Sequence, residues 1–183
     1  MKNLISNIGL ILLSVLFLAG CESHPSLQKY YVDSKENNEF ISVDLPSSII
    51  QLKDTEVSKK VKNTLQTIKK VNFLALQLNE TNKDLYSSEK LKVKEILKNP
   101  KYKELVRMNM GKGNVSVSYL GKEDAIDEVV IFGSDDKKGF ALVRVLGENM
   151  NPSEILKLTQ DIKIDGNSNQ MKQLEGILTS ITQ

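Results

Sequence analysis

The sequence holds one cysteine and one histidine, and both, Cys21 and His24, fall at its N-terminal end. Everything after them must fold by burying apolar side chains, with no internal disulfide and no zinc held by cysteine or histidine. The same scarcity removes Ser-His-Asp and Cys-His nucleophilic triads and thiol redox chemistry from the folded part of the chain. His24, three residues after the cysteine, reads as a solvated linker residue rather than a ligand or base.

The cysteine has its own explanation. Lys2 supplies a positive start, and residues 4–19 are apolar apart from Ser6, Asn7, Gly9 and Ser14. At about 1.5 Å per residue this stretch is too short to cross a hydrocarbon core of ~30 Å comfortably. Leu18-Ala19-Gly20-Cys21 follows, with small residues directly before the thiol, as a lipobox requires. Residues 1–20 therefore read as a lipoprotein signal peptide cut between Gly20 and Cys21. Cys21 then takes a diacylglyceryl thioether and palmitate-type acyl chains. Two or three such chains, at about 0.8 kcal/mol per buried CH₂, anchor the mature chain stably in a bilayer. An uncleaved anchor that happens to end in cysteine is the weaker alternative.

Charge limits the partners. Twenty-five basic residues face 23 acidic ones, for a net of +2, and only Arg107 and Arg144 are arginines. Lysine lacks the planar fork that reads phosphates and guanine edges in pairs. The lysines are also interleaved with acids, as in Glu89-Lys90-Leu91-Lys92-Val93-Lys94-Glu95, which describes a solvated helix face. No nucleic-acid partner is expected. A hydrophobic share of 40% is too high for a disordered polymer, and the leader is the chain's one long apolar stretch, which rules out a multi-span membrane protein.

Periodicity gives the layout. Residues 21–38 are polar and read as a lipidated tether, although Leu27, Tyr30 and Tyr31 at i, i+3, i+4 allow a short helix in its latter part. A single α+β domain is expected over residues 39–183. It opens with a strand alternating at Ile41, Val43 and Leu45 and stopped by Pro46. A helix over 56–68 follows, with Val57, Val61, Leu65 and Ile68 on one side, then an interior strand over 71–78 that is apolar on both faces. The spacing predicts a second helix over 83–98, with only Leu91 off its apolar arc. Four strands come next, at 105–110, 115–120, 128–132 and 140–146, joined by short turns. A helix opened by Asn151 and Pro152 and a last one over 169–181 complete the order β-α-β-α-β-β-β-β-α-α. The expected fold is a mixed, mainly antiparallel sheet of about six strands with helices packed on it. The first strand–helix–strand unit is expected to be its parallel pair.

Chemistry-bearing candidates are few. Glu123, Asp124, Asp127 and Glu128 form the densest acidic cluster, a candidate site for carboxylate catalysis. It lacks the alternating ligands and glycine of a calcium loop and the aromatic platforms of a sugar site, so a solvated edge or turn is the favoured reading. Asp135-Asp136 sits in a hairpin, where aspartate serves turn geometry. Gly111-Lys112-Gly113 lies between two strands and opens no helix, which makes it a tight turn rather than a phosphate loop. Arg107 and Arg144 interrupt apolar strands. Ordinary outward strand positions are the favoured reading, and a hold on an anionic ligand across the open sheet face is the functional one. No cofactor and no metal site are implied.

Several segments carry a resemblance. The lipobox is followed by Tyr30-Tyr31-Val32-Asp33-Ser34-Lys35-Glu36-Asn37 and Phe40-Ile41-Ser42-Val43-Asp44-Leu45-Pro46. Later come Ala125-Ile126-Asp127-Glu128-Val129-Val130-Ile131-Phe132-Gly133 and Lys138-Gly139-Phe140-Ala141-Leu142-Val143-Arg144-Val145-Leu146-Gly147. Together they resemble an uncharacterised lipoprotein family of Bacteroidota, catalogued as a domain of unknown function. The resemblance implies a Gram-negative outer-membrane lipoprotein facing the periplasm. Surface display in that phylum resembles an acidic run after the cysteine, whereas Glu22-Ser23-His24-Pro25-Ser26 carries one acid. The leading expectation is thus a non-catalytic, lipid-anchored module that binds an envelope protein or small ligand. A carboxylate-only periplasmic hydrolase and an envelope stress or signalling accessory are the alternatives.

Overall fold

The computed structural model describes residues 25–52, 59–111, 113–151, 153–155 and 162–164. The leader, Cys21 and His24, and the helix expected over 169–181 lie outside the described residues, as does the start of the helix expected from 56.

The chain enters through helix α1 (Leu27–Lys35). The Ser26 hydroxyl caps it by accepting from the Lys29 amide at 3.1 Å, satisfying one of the donors that a helix start leaves free. Its buried residues Leu27, Tyr30, Tyr31 and Ser34 repeat at the helical spacing, so one stripe faces inward. Residues 27–35, placed in the tether by their polarity, are therefore part of the folded unit.

Strand β1 (Phe40–Pro46) follows, then a 3₁₀ turn (Ser47–Ile49) and the short β2 (Ile50–Leu52). Helix α2 (Lys59–Thr67) runs directly into β3 (Ile68–Gln77). Helix α3 (Lys83–Leu97) buries Tyr86, Glu89, Val93 and Ile96, while Leu91 stands 60% exposed, off the apolar arc as its phase requires. Strands β4 (Lys103–Met110), β5 (Gly113–Lys122), β6 (Ala125–Asp135) and β7 (Gly139–Met150) form a meander. Residues 153–155 are helical. The Asn151 side chain accepts there from the Ser153 and Glu154 amides, the capping role read from the sequence. Strand β8 (Ile162–Ile164) pairs with β2 in a two-stranded sheet that the sequence pattern does not announce. Among the described residues no helix is long and apolar enough to cross a membrane.

The main sheet has the order β1-β3-β7-β6-β5-β4, and every neighbouring pair in it is antiparallel. The parallel pair expected of β1 and β3 is thus corrected: Phe40 lies opposite Leu76 and Pro46 opposite Lys70. A parallel pair needs a connection that carries the chain back along the whole strand. Here α2 leads without a linker into β3 at the end where β1 stopped, so the chain reverses instead.

Strand β3 lies between β1 and β7, and Leu74, Ala75 and Leu76 are fully buried in succession, as expected of a strand covered on both faces. Helices α1 and α3 share one face. Their Leu27, Tyr30, Tyr31, Tyr86, Val93 and Ile96 pack with Leu74, Leu76, Val130, Phe132, Phe140 and Leu142 of the sheet. Leu65 of α2 packs on the other face, with Val117, Tyr119 and Val129.

Candidate functional site

Helix α3 has a crevice on each flank. Toward α1 lies a groove of about 990 Å³, at the upper end of the size that holds a drug-sized ligand. Tyr30, Phe40, Leu91 and Ile96 give it apolar walls, and Lys29, Asp33, Lys92 and Glu95 lie along it. Pro25 and Ser26, where the described chain begins, are part of its lining. The Tyr30 ring meets Phe40 edge-on with centroids 6.3 Å apart.

Two polar groups in this groove are unusually placed. Glu89 is buried on the apolar stripe of α3 and held by Lys92 at 2.6 Å. The Tyr30 hydroxyl is buried and completes no hydrogen bond, although Glu89 and Ser34 lie close by. Burial, and then the nearby Glu89 charge, push the Tyr30 phenol well above its ordinary pKa. It therefore stays protonated, with Glu89 and Ser34 as its polar neighbours.

On the opposite flank, under the last turn of α3, is a smaller cavity of about 250 Å³. Tyr102, Ser116, Ser118 and Ser134 line it from the sheet side, and Lys94, Lys98 and Arg107 surround it.

Between α1 and the sheet centre sits a buried charged network. Arg144 on β7 donates from Nη2 to Glu128 Oε2 on β6 at 2.7 Å, and its Nη1 donates to the Gln28 side chain of α1. Tyr102 donates to the other Glu128 oxygen at 3.2 Å. Burial, and then the Glu128 charge, raise the Tyr102 pKa, so the phenol remains a donor. Next to this network, the Tyr31 hydroxyl donates to the Leu142 carbonyl at 2.8 Å. At the β1 edge of the same face, Asp44 accepts from Lys35 at 2.5 Å, from Lys70 at 3.0 Å and from the Asn72 amide. Its partial burial opposes ionisation, but these three donors outweigh it and hold the carboxyl below the usual range.

The residues singled out from the sequence are dispersed. Arg107 is exposed and clamped by Glu104, its Nε reaching both carboxylate oxygens at 3.1 Å. Arg144 is 8% exposed, which corrects the outward placement favoured for it: its position belongs to the helix-covered face, where a cation needs a buried partner. The acidic cluster comes apart. Glu123 and Asp124 are exposed in the β5–β6 turn, Asp127 is exposed on β6, and Glu128 is buried against Arg144. Among the described residues no group of three or more Asp, Glu, His or Cys is placed to hold a metal ion. Gly20 and Cys21 lie outside the described residues.

Tyr30, Glu89 and the serine wall went unread as site residues. Glu89, expected with its neighbours on a solvated helix face, is instead buried, as is Val93; a signal existed, since the spacing of Glu89 from Tyr86 and Val93 puts it on the buried stripe. For the serines the alternation Val115-Ser116-Val117-Ser118-Tyr119 marks a strand with one polar face. Nothing in one strand says that a helix end roofs that face.

Neither the curated proteins nor the solved structures contain a match to this chain. The family model of a domain of unknown function, DUF4252, matches residues 30–158, from within α1 to just past the capped turn at Asn151. That span is well over half of the sequence and takes in the whole six-stranded sheet: the chain belongs to the DUF4252 family.

Proposed function

We propose that this protein is a bacterial envelope lipoprotein, of the kind found in Bacteroidota. Acylated Cys21 holds it in the outer membrane, and its folded unit faces the periplasm and binds a small ligand in the groove between α1 and α3 without transforming it. The observation that carries the reading is the groove itself: apolar walls, a buried tyrosine hydroxyl and a buried glutamate, with the chain entering at its rim. Cys21 precedes Pro25 by four residues, at most about 14 Å of extended chain. A lipid anchor there holds the groove close to the bilayer surface. The carboxylate-hydrolase alternative gains no support from this arrangement, because Glu128 is committed to Arg144 and its sequence neighbours are exposed.

The reading is tested by native mass spectrometry of the protein purified from envelopes, beside a Ser88→Trp variant that fills the exposed side of the groove. The wild type is expected to carry a non-covalent small-molecule adduct that the variant lacks, with the same circular dichroism spectrum for both proteins. The same adduct on both proteins, or none on either, contradicts it.

A further inference from the structure

The cavity under the end of α3 is a separate site, and we infer that it binds a compact oxyanion, a phosphate or sulfate group. Three observations point there. The first is its sheet wall. Ser116 and Ser118 on β5 lie opposite Phe132 and Val130 of β6, residues of the helix-side core. A strand face in that position ordinarily carries apolar side chains. Here it carries serines, and Ser134 on β6 adds a third. The second is an unmet hydrogen-bonding capacity. Ser134 is 6% exposed, and its hydroxyl has no partner, so the wall contains a donor that nothing in the fold employs.

The third is the balance of charge. Lys94, Lys98 and Arg107 surround the cavity against the single acid Glu104. Glu104 is spent on Arg107, and Lys98 pairs with Glu95 at 2.5 Å. Lys94 is seen in no salt bridge with a described residue, although its charge also acts on Asp136, which Lys90 holds at 2.7 Å. Lysines also suit the negative end of a helix, which accounts for two of the cations. Arg107 comes from β4 and lines the same space, with its charge shared with Glu104. A cavity of about 250 Å³ falls just below the range for drug-sized ligands. It suits one compact group, met by hydroxyl donors from the sheet and by cations from the helix and β4. This inference does not depend on the α1–α3 groove and would survive its failure.

The test is a titration of the full-length protein in neutral detergent, followed by amide chemical shifts. Three probes are used: inorganic phosphate, inorganic sulfate, and vesicles of zwitterionic lipid containing phosphatidic acid. Shifts are expected to concentrate at Ser116, Ser118, Ser134 and Lys94 and to saturate. Lys94→Gln should weaken binding about tenfold or more, the effect of losing one charge-assisted hydrogen bond. Ser134→Ala should weaken it less, and Lys83→Gln at the other end of α3 should leave it unchanged. Saturation by the inorganic ions identifies a free oxyanion site. Saturation by vesicles alone identifies a lipid headgroup as the carrier of the same group. Shifts spread over all surface lysines, or affinities equal in Lys94→Gln and Lys83→Gln, overturn the inference.

Discussion

Arg144 is the residue whose place says most about how this chain works as a solid. It lies opposite Asn72 on one neighbouring strand and Val130 on the other, and it joins both to α1 through Glu128 and Gln28. A buried ion pair is a weak source of net stability, yet removing one partner strands the other charge out of water. Arg144→Met is therefore expected to lower unfolding free energy by about 3–5 kcal/mol. Arg144→Met with Glu128→Gln should cost clearly less than the two single changes added together. Urea denaturation of the four proteins measures both, and additive costs would show that the pair is not coupled. Little of this was legible beforehand. Alternation identified the strand around Arg144 but not which of its faces the helices cover. Its partner lies 16 positions away on a strand whose register only pairing fixes. Leu91 shows the opposite case: helical phase alone placed it outside, since both its position and its burial belong to one element.

At the scale of elements, turns and close approaches decide which pairings the sheet accepts. The β6–β7 hairpin is tied by Asp135, whose carboxylate accepts from the Lys137 and Lys138 amides at 2.8 and 3.1 Å. It closes on Gly139, with φ +120°. A β-carbon on Gly139 would stand 2.1 Å from the Leu76 carbonyl oxygen of β3, so that glycine lets β3 and β7 meet. Gly111, in the β4–β5 turn, has φ +66° but open space around it. Gly139→Ala is expected to cost at least about 3 kcal/mol, from backbone strain and a backbone clash together. Gly111→Ala should cost only about 1–2 kcal/mol of left-handed strain. Chemical denaturation midpoints of the two variants provide the comparison, and equal costs would contradict the account of the hairpin. The hairpins themselves were legible because turn chemistry is local. The direction of β3 relative to β1 was not: a helix-length connection fits a crossover as well as a return, and only the abutment of α2 and β3 decides between them.

For the whole molecule, the fold puts the groove and the serine-walled cavity on one side of the sheet. Helices α1 and α3 cover that face, the groove lies between them, and the serine-walled cavity lies beyond α3. The chain reaches this side through Pro25 and Ser26, so the proposed acylation of Cys21 would set which surface the groove faces. Near-neutral charge and scattered lysines give no long-range pull toward a polyanion, so on the proposed reading an acylated Cys21, rather than electrostatic steering, would concentrate the protein at a membrane. The lipobox reading stands on consecutive residues alone and needs no tertiary contact, and Cys21 lies outside the described residues. The groove was the least legible, since its walls come from α1, β1 and α3. The account rests on Cys21, and intact-mass measurement of the protein extracted from envelopes tests it most directly. It predicts a chain of residues 21–183 carrying two or three acyl chains, with Cys21→Ala remaining as the unacylated, uncleaved precursor. An unacylated wild-type chain, or a wild-type chain that still begins at Met1, would contradict it.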